Sequence, residues 1–249
     1  MDLGIRGRTA AVAAASEGLG LGCARALAAE GVRVAICGRR QDAIDAAAAS
    51  IGGECVPLVA DLGAPAGAAE FIDAATGALG PIDILIANAG GPPAGTFATT
   101  SLDAYAQAFD LNCRSIIAMC QGAIPSMRER GWGRVVAITS IGARAPIGNL
   151  AASSTARAAV TAFLKITARE VAADGVTVNS LQPGFHATAR LTNLHDAEGL
   201  EALAASVPTR TLGDADDFGS VAAFLCSEQA RFVTGVGLLV DGGAYPGLM

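Results

Sequence analysis

Short β-branched runs alternate with longer alanine- and leucine-rich amphipathic stretches along nearly the whole chain, and few folds accommodate that rhythm. Runs at 9–14, 33–37, 54–59, 82–86, 134–139, 177–181 and 238–240 read as strands. Most are apolar on both faces, as strands of a parallel sheet covered by helices on each side must be. Amphipathic stretches at 20–30, 41–50, 102–127 and 151–173 read as helices, the last placing Val160, Phe163, Leu164, Thr167 and Val171 on one face. This alternation predicts an α/β fold: a single-domain, Rossmann-type doubly wound parallel sheet of about seven strands with helices on both faces. With 249 residues, no internal repeat and no linker, residues 1–249 form one expected domain.

Composition narrows what such a domain can do. A chain of this length buries enough surface to fold without disulfides or a structural metal. Its 23 acidic and 17 basic residues leave a net charge of −6, which argues against nucleic acid as a partner, since phosphate backbones call for clustered Lys and Arg. Mean hydropathy is high, at +0.45. However, the longest uncharged stretch, 84–102, carries Asn88, Gly90, Gly91, Pro92 and Pro93, so no membrane span is expected. The N-terminal residues show no apolar leader, and the six cysteines are scattered without a Cys-x-x-Cys pair; a reducing, cytoplasmic setting is expected. Two histidines, His186 and His195, exclude a His-rich metal site, and no metal is expected.

Chemistry-bearing residues fall at the ends of the predicted strands. The first strand runs into Ala14-Ala15-Ser16-Glu17-Gly18-Leu19-Gly20-Leu21-Gly22 and then a helix. Glycines at a strand-to-helix turn let backbone N–H groups approach a phosphate, and the helix N-terminus adds partial positive charge. Gly38-Arg39-Arg40 ends the second strand, Asp61-Leu62 follows the third, Asn88-Ala89-Gly90 the fourth, Thr139-Ser140 the fifth, and Pro183-Gly184 with Thr188 the sixth. In open α/β sheets ligands bind at the carboxyl ends of the strands, so these residues are expected to share one crevice. Residues 185–212 break the rhythm, with no strand and a mixture of leucines and polar residues. They read as a mobile substrate lid, or else as an extra pair of surface helices.

Ordered motifs make the sequence similar to the short-chain dehydrogenase/reductase family, of the ketoacyl-reductase-like kind. They are Ala87-Asn88-Ala89-Gly90, Val178-Asn179-Ser180-Leu181-Gln182-Pro183-Gly184, and Thr234-Gly235 through Val240-Asp241-Gly242-Gly243, and they cover essentially the whole chain. The resemblance implies a nicotinamide dinucleotide cofactor. Gly18, Leu19 and Gly20 would line the pyrophosphate, Asp61 and Leu62 the adenine, and Asn88 the adenosine ribose, with Ser16 also touching the cofactor. Ala89, Gly90 and Thr139 would line the strand ends, while Thr188 would reach the carboxamide with Pro183 and Gly184 alongside. The family's glycine turn opens Thr-Gly, where this chain has Ala13-Ala14. Gly38 stands where an acidic residue would select NAD, and Arg39 and Arg40 follow it, so NADPH is expected over NADH.

Catalysis is where the chain departs from its relatives. The resemblance assigns Asn112 to a proton-relay water and Ser140 to the substrate carbonyl. The family's Tyr-x-x-x-Lys should begin 13 residues beyond Ser140, and the chain there reads Ser153-Ser154-Thr155-Ala156-Arg157. Ser153 thus replaces the acidic phenol and Arg157 the lysine; a serine is far shorter and less acidic, and an arginine stays protonated. His186, placed by the sequence over the nicotinamide position, is a substitute proton donor or else a plain lid residue. Tyr105 reads as an aromatic filler and Tyr245 as a tail residue that could approach a neighbouring subunit. The leading expectation is an NADP-dependent oxidoreductase acting on a small carbonyl or alcohol. A non-catalytic dinucleotide or metabolite sensor and a lyase, isomerase or dehydratase stand beside it. The apolar surplus on the long helices predicts a homodimer or homotetramer, and the resemblance favours the tetramer.

Overall fold

The computed structural model describes residues 2–248. Seven strands form one parallel sheet: β1 (Thr9–Val12), β2 (Arg33–Gly38), β3 (Cys55–Val59), β4 (Ile84–Ala87), β5 (Gly133–Ile138), β6 (Val176–Pro183) and β7 (Gly237–Val240). Their order is β3-β2-β1-β4-β5-β6-β7. Ala11 aligns with Ala35 on β2 and with Leu85 on β4, which fixes the register at the centre of the sheet. The expected doubly wound α/β architecture is therefore the one observed.

Nine α-helices connect the strands among the described residues: α1 (Gly18–Ala29), α2 (Gln41–Ile51), α3 (Pro65–Leu79), α4 (Leu102–Phe109), α5 (Ser115–Glu129), α6 (Ala151–Val171), α7 (Ala189–Thr192), α8 (Ala197–Ser206) and α9 (Ala215–Leu225). Strand side chains alternate between two cores, because successive Cβ atoms point to opposite faces. Ala11, Ala35, Leu85 and Val135 meet Phe71 and Ile72 of α3, Ile116 and Met119 of α5, and Val160 and Leu164 of α6. Val12, Val34, Ile36, Ile86 and Val136 meet Leu27 of α1, Ile44 of α2 and Phe218 of α9. The predicted apolar stripe on α6 is confirmed for Val160, Leu164 and Val171, while Phe163 and Thr167 are half-buried at its margin.

Two local features depart from the reading by periodicity. The single helix expected over 102–127 is α4, then a π-helical turn at Asp110–Arg114, then α5. Such turns insert one residue into the helical ladder and cluster at functional sites; here the turn carries Asn112. β6 also runs on to Pro183, beyond the expected 181. Between β6 and α9 the chain leaves the sheet: neither α7 nor α8 has a fully buried residue. The caps of α8 and α9 are side-chain oxygens. Asp196 accepts from Gly199 N–H at 2.9 Å, and Asp214 from Asp216 and Asp217 N–H at 2.7 and 3.1 Å. The sheet order reverses between β1 and β4, opening a crevice at their carboxyl ends.

Candidate active site

One wall of that crevice is the turn between β1 and α1. Ala13 N–H donates to Ile86 O at 3.0 Å and Ala15 N–H to Cys37 O at 2.9 Å, tying the turn to both flanking strands. Between them Ala14 has φ +48°, a left-handed conformation in which a Cβ crowds the following carbonyl at a cost of about 1–2 kcal/mol. The chain thus takes here the backbone path that a glycine would take without strain. The Ala14 carbonyl accepts from Asn88 Nδ2 at 3.2 Å, and a Cβ on Gly20 would strike the same oxygen. Gly18 is also left-handed, at φ +61°, with the Thr188 methyl 3.4 Å from where its Cβ would lie. Glu17, at the N-cap of α1, makes no side-chain capping bond, so the first N–H groups of this helix are left for an anion. The glycine cradle and the uncapped helix fit a dinucleotide pyrophosphate.

The crevice continues past the ends of β2 and β3. Gly38 is buried, and a Cβ there would meet Ser16 Cβ at 3.2 Å, so glycine lets Ser16 close on the end of β2. Arg39 and Arg40 are exposed beside it, and Arg40 Nε lies 3.4 Å from Asp42. Asp61 turns the chain after β3 by accepting from Gly63 N–H at 2.9 Å, which leaves Leu62 buried beneath. Ala89 is buried and Gly90 exposed at the end of β4.

Asn112 sits in the π-helical turn, Ser140 at the end of β5, and Ser153 and Arg157 on α6. Asn112 is wholly buried in the π-helical turn; its Nδ2 donates to Gly90 O at 2.7 Å, and its Oδ1 has no partner. Thr139 Oγ1 donates to Leu181 O at 3.3 Å, holding the end of β5 against β6. Ser140 Oγ accepts from Gly142 N–H at 2.9 Å, capping the 3₁₀ turn Ile141–Ala143. Ser153 is 9% exposed and its hydroxyl has no protein partner among the described residues. Its neighbour Ser154 accepts from Ile147 N–H at 3.2 Å. Arg157, 8% exposed, donates from Nη1 to Ile138 O at 3.0 Å. Burial, with Arg190 as a neighbouring cation, pulls its guanidinium down to about 10, and it remains a cation at neutral pH. Arg190 reaches across from α7, donating from Nη2 to Pro92 O at 3.1 Å.

His186 lies just after β6, where its contacts are with Phe218, Gly184 and Gly213. Its ring is buried edge-on against Phe218, with centroids 5.2 Å apart and planes at 88°, and Nδ1 lies 3.3 Å from Gly184 O. Gly213 walls the other side: a Cβ there would come within 2.6 Å of Nε2. This desolvated slot lowers the imidazole's pKa and favours the neutral ring. Gly184 N–H donates to Val240 O at 3.0 Å, and Thr188, just before α7, lies beside Gly18 of the glycine turn. Tyr105 packs on Ala108, Ala152 and Ala156, and Tyr245 N–H donates to Asp241 at 2.8 Å. Sequence reasoning passed over Arg190 and the π-helical turn; in the mixed polar and apolar run 185–212, which also holds Arg210, nothing set Arg190 apart. No group of three or more His, Cys, Asp or Glu side chains is placed to hold a metal among the described residues.

Known proteins share this architecture. A family model described as enoyl-(acyl carrier protein) reductase matches residues 13–245. Human dehydrogenase/reductase SDR family member 4 is 31% identical over 241 residues, spanning 95% of this chain and 87% of its own. The 3-oxoacyl-(acyl-carrier-protein) reductase of Escherichia coli is 30% identical over 243 residues, spanning 98% and 99%. L-sorbose reductase from Gluconobacter frateurii, solved with NADPH and L-sorbose, superposes at a TM-score of 0.92 and 28% identity over 100% of both chains. A 3-oxoacyl (acyl-carrier-protein) reductase from Agrobacterium tumefaciens with NADP bound superposes at 0.92 and 32% identity, covering 97% and 96%.

Proposed function

The chain belongs to the short-chain dehydrogenase/reductase family, and from that premise we propose that it is an NADP-dependent oxidoreductase interconverting a small carbonyl compound and its alcohol. The observation that carries this reading is a set of polar atoms with no partner among the described residues: Asn112 Oδ1 in the π-helical turn, and the Ser153 hydroxyl and most of the Arg157 fork on α6. Gly18, Leu19, Gly20 and the α1 N-terminus would hold the pyrophosphate, Ser16, Asp61, Leu62, Asn88, Ala89 and Gly90 the adenosine half, and Thr139, Pro183, Gly184 and Thr188 the nicotinamide. Arg39, helped by Arg40, would grip a ribose 2′-phosphate bidentately, favouring NADPH over NADH. When bound, the nicotinamide supplies or accepts a hydride at the substrate carbon.

The remaining work falls to this chain's residues. The Ser140 and Ser153 hydroxyls donate to the substrate oxygen, and Arg157 places fixed positive charge beside it while holding the nicotinamide ribose. Neither serine is acidic enough to replace a phenol, so a water on Asn112 Oδ1 brings the proton. Losing a matched general acid costs about 10²–10⁴-fold in rate, so turnover is slow rather than absent. His186 serves as packing at the root of residues 185–212, which act as a lid over the substrate. The missing phenol favours a second reading, in which the chain binds a dinucleotide or metabolite without turning it over. The protein is read as a cytoplasmic homodimer or homotetramer. Exposed Val236 and Phe232 beside the edge strand β7 support association, and no helix among the described residues is long and apolar enough to cross a membrane.

NADPH consumption against a panel of small aldehydes and ketones tests this directly. Arg157→Ala and Ser140→Ala should each lower kcat/KM for the best substrate by about 10²-fold, as loss of a transition-state donor does. Unchanged turnover in both variants would overturn the assignment, and NADPH binding with no turnover of any carbonyl would favour the sensor.

A further inference from the structure

We propose that the cavity between α6 and the β6–β7 edge of the sheet binds a small α-hydroxy acid, held by the Gln182 amide inside and by Arg144 and Lys165 at the mouth. Strand alternation turns Ser180 and Gln182 to one face of β6, and with Thr161 and Lys165 of α6 they line a cavity of about 160 Å³. None of the residues lining it is among those assigned to the crevice, so the site stands independently of the oxidoreductase reading. Gln182 is 0% exposed, and neither its Nε2 nor its Oε1 has a partner among the described residues. Buried amides are ordinarily paired, because an unpaired donor or acceptor has given up water for nothing in return. Elsewhere on β6 the chain does pair such a group. Asn179 donates from Nδ2 to Val233 O at 2.8 Å and accepts at Oδ1 from Val236 N–H at 3.2 Å.

Gly237 keeps room in front of that amide. A Cβ there would stand 2.6 Å from Gln182 Nε2 and 3.3 Å from Arg144 Nη2, so the amide and the guanidinium border the same small space. Glycine inside a strand marks a place where something approaches closely. Arg144 and Lys165 set the charge of the mouth, where both are exposed. Arg144 Nη2 donates to Gly237 O at 2.6 Å and Lys165 Nζ to Gly235 O at 2.8 Å, and each keeps further N–H groups. Neither has a carboxylate within salt-bridge reach among the described residues. The cavity thus offers one donor and one acceptor side by side, with two cations beyond them. An α-hydroxy acid matches this set. One carboxylate oxygen accepts from Nε2, the adjacent hydroxyl donates to Oε1, and the other carboxylate oxygen accepts from Arg144 and Lys165. An amino acid does not match, since the same cations repel its ammonium. Size agrees as well: a cavity of about 150 Å³ holds a molecule of about six non-hydrogen atoms, the size of lactate.

Isothermal titration of the purified protein with lactate and glycerate, against propionate and methyl lactate, tests the site. At least one hydroxy acid should bind with a Kd below about 1 mM, and about tenfold or more tightly than the acid without the hydroxyl or the ester without the charge. Added salt should weaken that binding. Arg144→Met and Gln182→Leu should each weaken it by about tenfold or more. Arg144 is exposed, so its variant keeps the fold, and Gln182→Leu removes an unpartnered amide and should melt no lower than the wild type without ligand. If the leucine variant does not fold, Arg144→Met decides alone. Absence of binding by both hydroxy acids would overturn the proposal and leave the cavity to water. Affinity that the two variants leave unchanged would overturn it too, by placing the acid elsewhere on the protein.

Discussion

Ala14 and His186 show how a residue's neighbours set its role more firmly than its type does. Ala14 holds a left-handed backbone because the hydrogen bonds of Ala13 and Ala15 to the flanking strands leave the chain no other path. His186 would suit acid–base work by its ordinary pKa, yet Phe218 and Gly213 enclose it and keep it neutral. Its lowered pKa carries a sign. The unfolded chain takes up a proton near pH 6.5, whereas the folded ring resists until lower pH, so the unfolded state binds more protons and stability falls as pH drops through that window. Urea unfolding at about pH 5 and pH 8 should therefore show a smaller acid loss in His186→Gln than in the wild type, with carbonyl turnover retained. A variant with unchanged pH dependence, or one that loses turnover, would contradict this placement. Asn112, Ser140, Ser153 and Arg157 were legible in the sequence as candidates for the site. The orphaned Oδ1 of Asn112 was not, because it depends on a carbonyl 22 residues away, that of Gly90.

Elements followed from periodicity wherever burial was one-sided or complete. The strands were legible because their apolar runs are sandwiched between two helical layers, and α1, α2 and α6 because their small and aliphatic residues recur at helical spacing. The helix expected over 102–127 was not legible as three pieces, since the π-helical turn keeps nearly the same apolar pattern while shifting its register. Close packing of α1 on α9 is likewise written in two glycines. A Cβ on Gly22 would strike Ala215 O, and one on Gly219 would strike Gly22 O. Gly22→Ala should lower stability by about 1–3 kcal/mol through overpacking, with backbone rather than a flexible side chain in the way. Unaltered denaturant midpoints would show that the two helices separate more easily than this contact implies.

At the scale of the whole molecule, seven parallel strands bring residues distant in sequence to one crevice, and the strand order reverses where the glycine turn and Asn88 meet. The alternation of elements made that architecture legible. The place of Arg190 was not, because it is held by the Pro92 carbonyl 98 residues away in the sequence. Everything proposed for catalysis presupposes that the crevice accepts a dinucleotide despite the strain at Ala14. Fluorescence titration of the purified protein with NADPH and, in parallel, NADH measures this directly. The account predicts micromolar NADPH affinity with NADH weaker by about tenfold or more, the contribution of an arginine fork on the 2′-phosphate. Failure of both to bind would contradict it.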